Sequence, residues 1–234
     1  TGDENMMEED KNLKTQINEL RIEEIDELRE IAKPFISLMM EFRCALMEIE
    51  TKLNVLNSEF ALTHNRNPIQ TIKTRLKQPA SILEKISRKG LDVTIEAMEE
   101  NLADIAGVRV ICSFPEDIYA VADMMLHQDD LRMLEIKDYI KNPKPNGYRS
   151  LHLIMEVPIF LSSGKKFRKV EVQFRTIAMD FWASLEHQLR YKKNLENAEE
   201  ICRELKECAD VITSVDYRMQ ELRGKIEYAD EEDC

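Results

Sequence analysis

At 234 residues the chain can bury one good core, and 43% hydrophobic with 33% charged residues is an ordinary globular composition, which excludes fibrous and disordered classes. Its 33 basic against 45 acidic side chains give a formal net charge of -12, which excludes a general nucleic-acid coat protein; any phosphate ligand must meet a local basic cluster. No apolar run approaches the roughly 20 residues needed to cross a bilayer, residues 1–30 are acidic, and the five cysteines lack metal-ligand spacing. The expectation is a cytoplasmic protein with reduced thiols and no membrane partner.

In chain order, residues 1–10 are polar and acidic and read as a disordered N-terminus. Residues 11–64 read as a helical region. After Pro34 the positions Phe35, Met39, Phe42, Leu46, Ile49, Leu53, Leu56 and Phe60 recur at steps of four and three, the seam of a long amphipathic helix. Between Lys73 and Lys89 six basic residues face one acid, Glu84. Pro79 suits the first turn of a helix that Gly90 can close, so Lys85, Arg88 and Lys89 fall on adjacent turns and could meet one polyphosphate. A solvated basic face is the equal alternative.

The period then shifts to two, predicting strands at Val108–Ser113, Met133–Tyr139, Ser150–Val157 and Lys169–Thr176, with a helix over Glu116–His127 between the first two. Trp182, Leu185 and Leu189 read as the buried side of the last core helix. Over 196–228, Ile201, Leu205, Cys208, Ile212, Val215, Met219, Leu222 and Ile226 repeat the helical seam before an acidic tail at 229–234. Either seamed helix covers the core, makes a subunit interface, or does both. The fold class expected is α/β: a mixed sheet of about five strands flanked by helices, with a core at 65–195 and a long helix at each end.

Chemistry concentrates in the middle. Alternation places Glu171, Gln173 and Arg175 on one face of their strand, Arg109 opposite Val108 and Val110, and His152 opposite Leu151 and Leu153. If these strands are neighbours, a polar floor results. Asp104 precedes the first strand, where Gly107 permits a turn or a close backbone approach, and it could bring a second carboxylate to Glu171. One or two carboxylates plus substrate phosphates suffice for Mg²⁺. The segment Lys141–His152 combines rigid prolines, Asn146-Gly147, lysines, an arginine and Tyr148, and reads as a shaped nucleotide loop in which Tyr148 offers a face for base stacking or fills the core.

Three ordered motifs, Asp104-Ile-Ala-Gly-Val-Arg-Val110, Lys144-Pro-Asn-Gly-Tyr-Arg-Ser-Leu-His152 and the run from Glu171-Val-Gln-Phe-Arg through Glu186-His187, resemble the synthetase domain of RelA/SpoT homologues, the last resembling single-domain small alarmone synthetases. The resemblance spans roughly residues 65–195. It implies a nucleotidyltransferase-like fold and transfer of pyrophosphate from ATP to the 3′ hydroxyl of GTP or GDP, giving pppGpp or ppGpp and AMP. It implies that Arg75, Lys77, Lys85, Arg88 and Arg109 hold ATP, with Arg109 stacking on adenine. Asp104 and Glu171 are implied as Mg²⁺ ligands, with Glu171 also accepting the proton. Tyr148 is implied to stack on guanine, Lys144, His152, Gln173 and Arg175 to contact the rest of the acceptor, and Asp180 to read the base. A homotetramer with a central allosteric alarmone site is implied as well. Glu135-Ile-Lys137-Asp138 mixes acidic and basic character and leaves the GTP or GDP preference open.

Two rivals stand beside this reading. One is a pyrophosphotransferase acting on tRNA 3′ ends or adenosine nucleotides, disfavoured for tRNA by the net charge. The other is a non-catalytic regulator that binds nucleotide or single-stranded RNA through the same basic surface; the pair Asp104 and Glu171 weighs against it. None of the four histidines is followed by Asp, so the His-Asp metal domain that hydrolyses alarmone in longer relatives is not expected.

Overall fold

The computed structural model describes the backbone of residues 2–64, 66–190 and 198–232; Cys234 and the 195/196 domain boundary drawn from sequence lie outside them. The chain divides into two compact units, Thr1–Met40 and Glu41–Cys234. The first is the opening stretch of helix α1 (Gly2–His64), which runs through Pro34; there Ile31 and Ile36 are exposed and Phe35 and Met39 half-buried.

In the second unit every seam residue of α1 from Phe42 to Phe60 is buried, as the spacing of four and three predicts for one apolar stripe. Beside them Glu41, only 3% exposed, receives hydrogen bonds from Lys166 (2.6 Å) and from Arg168, which also pairs with Glu99 (2.9 Å). Burial raises the Glu41 pKa, but these cations more than offset it and hold the carboxyl below its ordinary range.

Five strands form one mixed sheet in the order β1-β2-β5-β4-β3: β1 (Ile69–Leu76), β2 (Ala106–Cys112), β3 (Arg132–Asp138), β4 (Leu151–Leu161) and β5 (Gly164–Thr176). Only β2 and β5 pair in parallel; the other three pairings are antiparallel. Val108, Val110, Val170, Val172, Phe174 and Leu153 build the buried face, each at most 1% exposed. Four strands and α4 (Pro115–Leu126) stand where alternation placed them, and α2 (Pro79–Arg88) starts at its proline and is followed by Gly90 at φ 69°. β1 and the short α3 (Ile95–Asn101) escaped the sequence reading. β1 is an edge strand whose inner polar face belongs to a site, so the apolar half of its alternation is weak.

Two expected faces are corrected. On α5 (Ile177–Arg190), Trp182 is buried but Leu185 and Leu189 are 42% and 58% exposed; Met179 and Ala183 complete the buried side. Trp182 and Ala183 of that side pack against Ala209 of α6 (Ala198–Glu232). On α6 the core-facing row is Leu205, Ala209, Ile212 and Asp216, while Cys208, Val215, Met219, Leu222 and Ile226 of the predicted seam are exposed. Trp182, Ala183 and Ala209 form one cluster, joined by Tyr148, Leu205 and Ile212.

Among the described residues Cys44, Cys112, Cys202 and Cys208 stand outside any disulfide, and no helix is long and apolar enough to cross a membrane.

Candidate active site

The strand register turns scattered polar residues into a floor. Lys73 lies beside Arg109, Arg109 beside Gln173, Gln173 beside His152 and His152 beside Lys137, one row across all five strands. The next row on the same face runs Arg75, Gly107, Glu171, Ile154 and Glu135. Above the β1–β2–β5 end of these rows opens a cavity of about 520 Å³, lined by Lys73, Arg75, Lys77 and Arg109 and by the carboxylates of Asp104 and Glu171. Thr74, Gly107, Val108 and Gln173 complete its wall. Four cations against two anions make this a local basic cluster in a chain that is acidic overall. Gly107 lies inside β2, and a Cβ there would meet backbone oxygens at an ordinary 3.8 and 3.9 Å; the expected turn or close approach is absent, and the residue leaves the floor bare.

Asp104 sits where α3 gives way to β2. Its Oδ2 accepts hydrogen bonds from Lys77 (2.6 Å) and Lys85 (2.7 Å), which reach it from the end of β1 and from α2. Burial raises its pKa and the two lysines lower it further than that, leaving the group ionised. Its Oδ1 is buried without a partner among the described residues. Such an oxygen is a candidate ligand for a hard cation.

Glu171 anchors a hydrogen-bonded chain. Its Oε1 lies 3.0 Å from His152 Nδ1, and its Oε2 accepts from Gln173 Nε2 at 2.9 Å. An ionised carboxylate only accepts, so Nδ1 carries the hydrogen, leaving Nε2 of a neutral ring to accept from Tyr148 Oη, 3.0 Å away. Arg175 Nη2 donates to the same Oη at 2.8 Å, and Arg175 Nη1 to Asp180 Oδ1 at 2.9 Å. Arg109 pairs with that Oδ1 at 3.2 Å. The chain Glu171, His152, Tyr148, Arg175, Asp180, Arg109 thus joins the sheet floor to the first turn of α5. Burial raises the Glu171 pKa, the His152 and Gln173 contacts outweigh it, Asp104 opposes them, and the net shift is downward. Arg109 is shifted down, first by burial and then by the Arg175 charge.

Arg75, Lys77, Arg109, Asp104, Glu171 and Gln173 therefore share one cavity, with Lys85 joined through Asp104. His152, Tyr148, Arg175 and Asp180 continue from it as a network. Lys144 lies 4.8 Å from the Tyr148 ring centroid and 4.7 Å from that of Tyr139, covering the Tyr148 face. Arg88 stands exposed at the end of α2, outside the cavity lining. Lys73, Thr74 and Tyr139 belong to the site although no sequence motif marks them. Tyr139 meets Tyr148 and His152 edge-on, with centroids 6.1 and 5.3 Å away. The signal for Lys73 was present in its two-residue offset from Arg75, but it becomes legible only when β1 is recognised as a strand.

A family model described as a region found in RelA and SpoT proteins matches residues 74–196. GTP pyrophosphokinase YwaC of Bacillus subtilis is 42% identical over 209 residues, 89% of this chain and 100% of its own. The crystal structure of small alarmone synthetase 2 from Bacillus subtilis superposes with TM-score 0.74 at 42% identity, covering 82% of this chain and 98% of that one. Small alarmone synthetase 1 from the same organism, bound to its product pppGpp, gives TM-score 0.75 at 34% identity over 83% of this chain and 99% of that one. Its complex with AMPCPP gives 0.69 at 32% identity over 84% and 99%.

Proposed function

The chain belongs to the RelA/SpoT family, and we propose that it is a (p)ppGpp synthetase, a GTP diphosphokinase that moves the β,γ-pyrophosphate of ATP onto the ribose 3′ hydroxyl of GTP or GDP. The observation that carries this reading is the placing of two ionised carboxylates, Asp104 and Glu171, in one cavity with four cations. Phosphoryl-type transfer requires that combination of positioning, charge neutralisation and a proton acceptor.

Arg75, Lys77 and Lys85 bind the donor's phosphates, and Arg109 offers its guanidinium face to the adenine. Tyr148 stacks on guanine once Lys144 swings from its ring to the acceptor's phosphates. Both arginines at Asp180 converge on Oδ1, which leaves Oδ2 to accept from guanine N1 and N2, donors that adenine lacks. Glu171 takes the proton of the 3′ hydroxyl. The 3′ oxygen forms its bond to the β-phosphorus of ATP, the bond from that phosphorus to the α–β bridging oxygen breaks, and AMP leaves. Asp104, through its unpartnered Oδ1, and Glu171 would hold Mg²⁺, which when bound supplies charge neutralisation at the transferring phosphates.

The protein acts in the cytoplasm as a homotetramer with alarmone as an allosteric ligand; the exposed apolar residues Val215, Met219, Leu222 and Ile226 of α6 support an interface between copies. Sedimentation equilibrium with and without pppGpp tests that assembly.

The decisive experiment incubates the protein with γ-labelled ATP, Mg²⁺ and, separately, GTP, GDP, an adenosine nucleotide, or tRNA. Labelled pppGpp or ppGpp from the parent, and none from Asp104→Ala or Glu171→Ala, is the expected result. Label on tRNA or adenosine nucleotide in place of guanosine, full activity in both variants, or no transfer at all would overturn it.

A further inference from the structure

The helix α6 lies beyond the matched segment 74–196, yet it grips both elements that face the acceptor. Gly147 adopts φ 90°, and a Cβ on it would stand 2.6 Å from Ala209 Cβ and 3.0 Å from Lys206 Cα. The loop backbone therefore rests directly on the helix, with no room for any side chain between them. Two residues on, Arg149 fastens the same contact: its Nη1 donates to the Gly147 carbonyl at 3.2 Å and its Nη2 to Asp210 Oδ1 at 3.1 Å. Tyr148, between these two anchors, packs on the cluster of Trp182, Ala183 and Ala209.

A second grip holds α5. Asp216 of α6 accepts from the Thr176 hydroxyl at 2.5 Å, and that hydroxyl in turn accepts from Met179 N–H at 3.1 Å, tying down the first turn of the helix that carries Asp180. Trp182 Nε1 donates to the Leu205 carbonyl at 3.0 Å, so α5 and α6 are also bonded one turn further along.

Resting on the assignment of Tyr148 and Asp180 to the guanine nucleotide, we propose that α6 is a positioning element of the acceptor site, acting through Gly147–Ala209 packing and the Arg149–Asp210 pair. Neither Ala209 nor Asp210 touches the cavity, and both act through Tyr148. Of the donor residues, Arg75, Lys77, Lys85 and Asp104 stand on β1, just after it, on α2 and before β2, and among the described residues none of their hydrogen bonds reaches α6; Arg109 alone is joined to the acceptor side, through Asp180. Disturbing the α6 contact should therefore weaken the acceptor far more than the donor.

The test uses the full chain and three variants: Ala209→Leu, which forces bulk against Gly147; Asp210→Arg, which sets two cations together; and the swap Asp210→Arg with Arg149→Asp. Initial rates are measured with ATP and GTP varied in turn, and GTP affinity is measured by calorimetry without ATP, which needs no turnover. Ala209→Leu should raise the GTP KM and the calorimetric Kd at least about fivefold, with the ATP KM within about twofold of the parent. Asp210→Arg should raise both GTP constants by roughly three- to tenfold, and the swap, which regains the ion pair but not the bond to the Gly147 carbonyl, should recover part of that loss. Emission from Trp182, the single tryptophan, checks that α6 stays docked in each variant. GTP constants unchanged in a docked variant, GTP and ATP constants rising together, or a swap that binds GTP no better than Asp210→Arg alone would each overturn the proposal. A parent that makes no guanosine product defeats the activity itself, while GTP calorimetry still decides the role of α6; a parent that does not bind GTP overturns both.

Discussion

Replacing Glu171 by Gln tests the core of the proposed chemistry with little change in shape. Glu171 is a largely buried side chain holding two hydrogen bonds, at 3.0 Å to His152 and 2.9 Å to Gln173. A glutamine keeps both: its oxygen accepts from Gln173, its amide donates to His152 Nδ1, and the imidazole changes tautomer to donate from Nε2 to Tyr148 Oη. The structural cost is the loss of charge assistance, about 1 kcal/mol, or roughly 2–4 °C in thermal midpoint. The chemical cost is far larger, because an amide accepts no proton at neutral pH; kcat should fall about 10²- to 10⁴-fold. The assay is AMP release at saturating ATP, Mg²⁺ and GTP, beside a thermal melt. A variant that melts like the parent and keeps more than about a tenth of its kcat would refute Glu171 as the proton acceptor.

Tyr148→Ala should raise the acceptor KM about 5- to 150-fold, the equivalent of one base stack, with the ATP KM little changed; Tyr148→Phe, which loses only the bonds to His152 and Arg175, should show a smaller effect. Glu41→Ala removes the charge-assisted bonds from Lys166 and Arg168 and should cost about 2 kcal/mol in a denaturant melt, since Lys166 reaches solvent and Arg168 keeps Glu99. Since the folded pKa of Glu41 is depressed, that stabilisation is present above the ordinary glutamate range and lost as pH falls through the folded value; the gap between parent and variant should close in acid. Asp216 has the opposite sign: burial raises its pKa more than the Thr176 bond lowers it, so its favourable contribution exists below the ordinary aspartate range and is lost as pH rises through the folded value. Asp216→Asn, which can still accept from Thr176, should raise the thermal midpoint at pH 8 and lose that gain at pH 4 by calorimetry. An Asn variant less stable at both would refute a buried charge at Asp216.

Much of this protein is determined locally and is legible in its sequence. Alternation of period two marks β2, β4 and β5 because their buried face is continuous, and it marks β3 at the sheet edge although its Leu134 and Ile136 are exposed; the α1 seam emerges because one stripe of that helix is covered from Phe42 to Phe60. The three motifs identify the reaction because a site of this kind is built from short segments whose residue types are set by chemistry. What a linear pattern does not carry is pairing. That Lys73, Arg109, Gln173, His152 and Lys137 form one row depends on register between strands far apart in the chain. The same holds for α6. Its heptad pattern marks Val215, Met219, Leu222 and Ile226, whereas the residues that meet the fold are Ala209, chosen by the close approach of Gly147, and Asp216, chosen by the Thr176 hydroxyl. Sequence determines which side chains are available and on which local face they stand. Tertiary structure alone decides which meet, because a contact is fixed by the geometry of two elements and hydrophobicity reports on only one at a time.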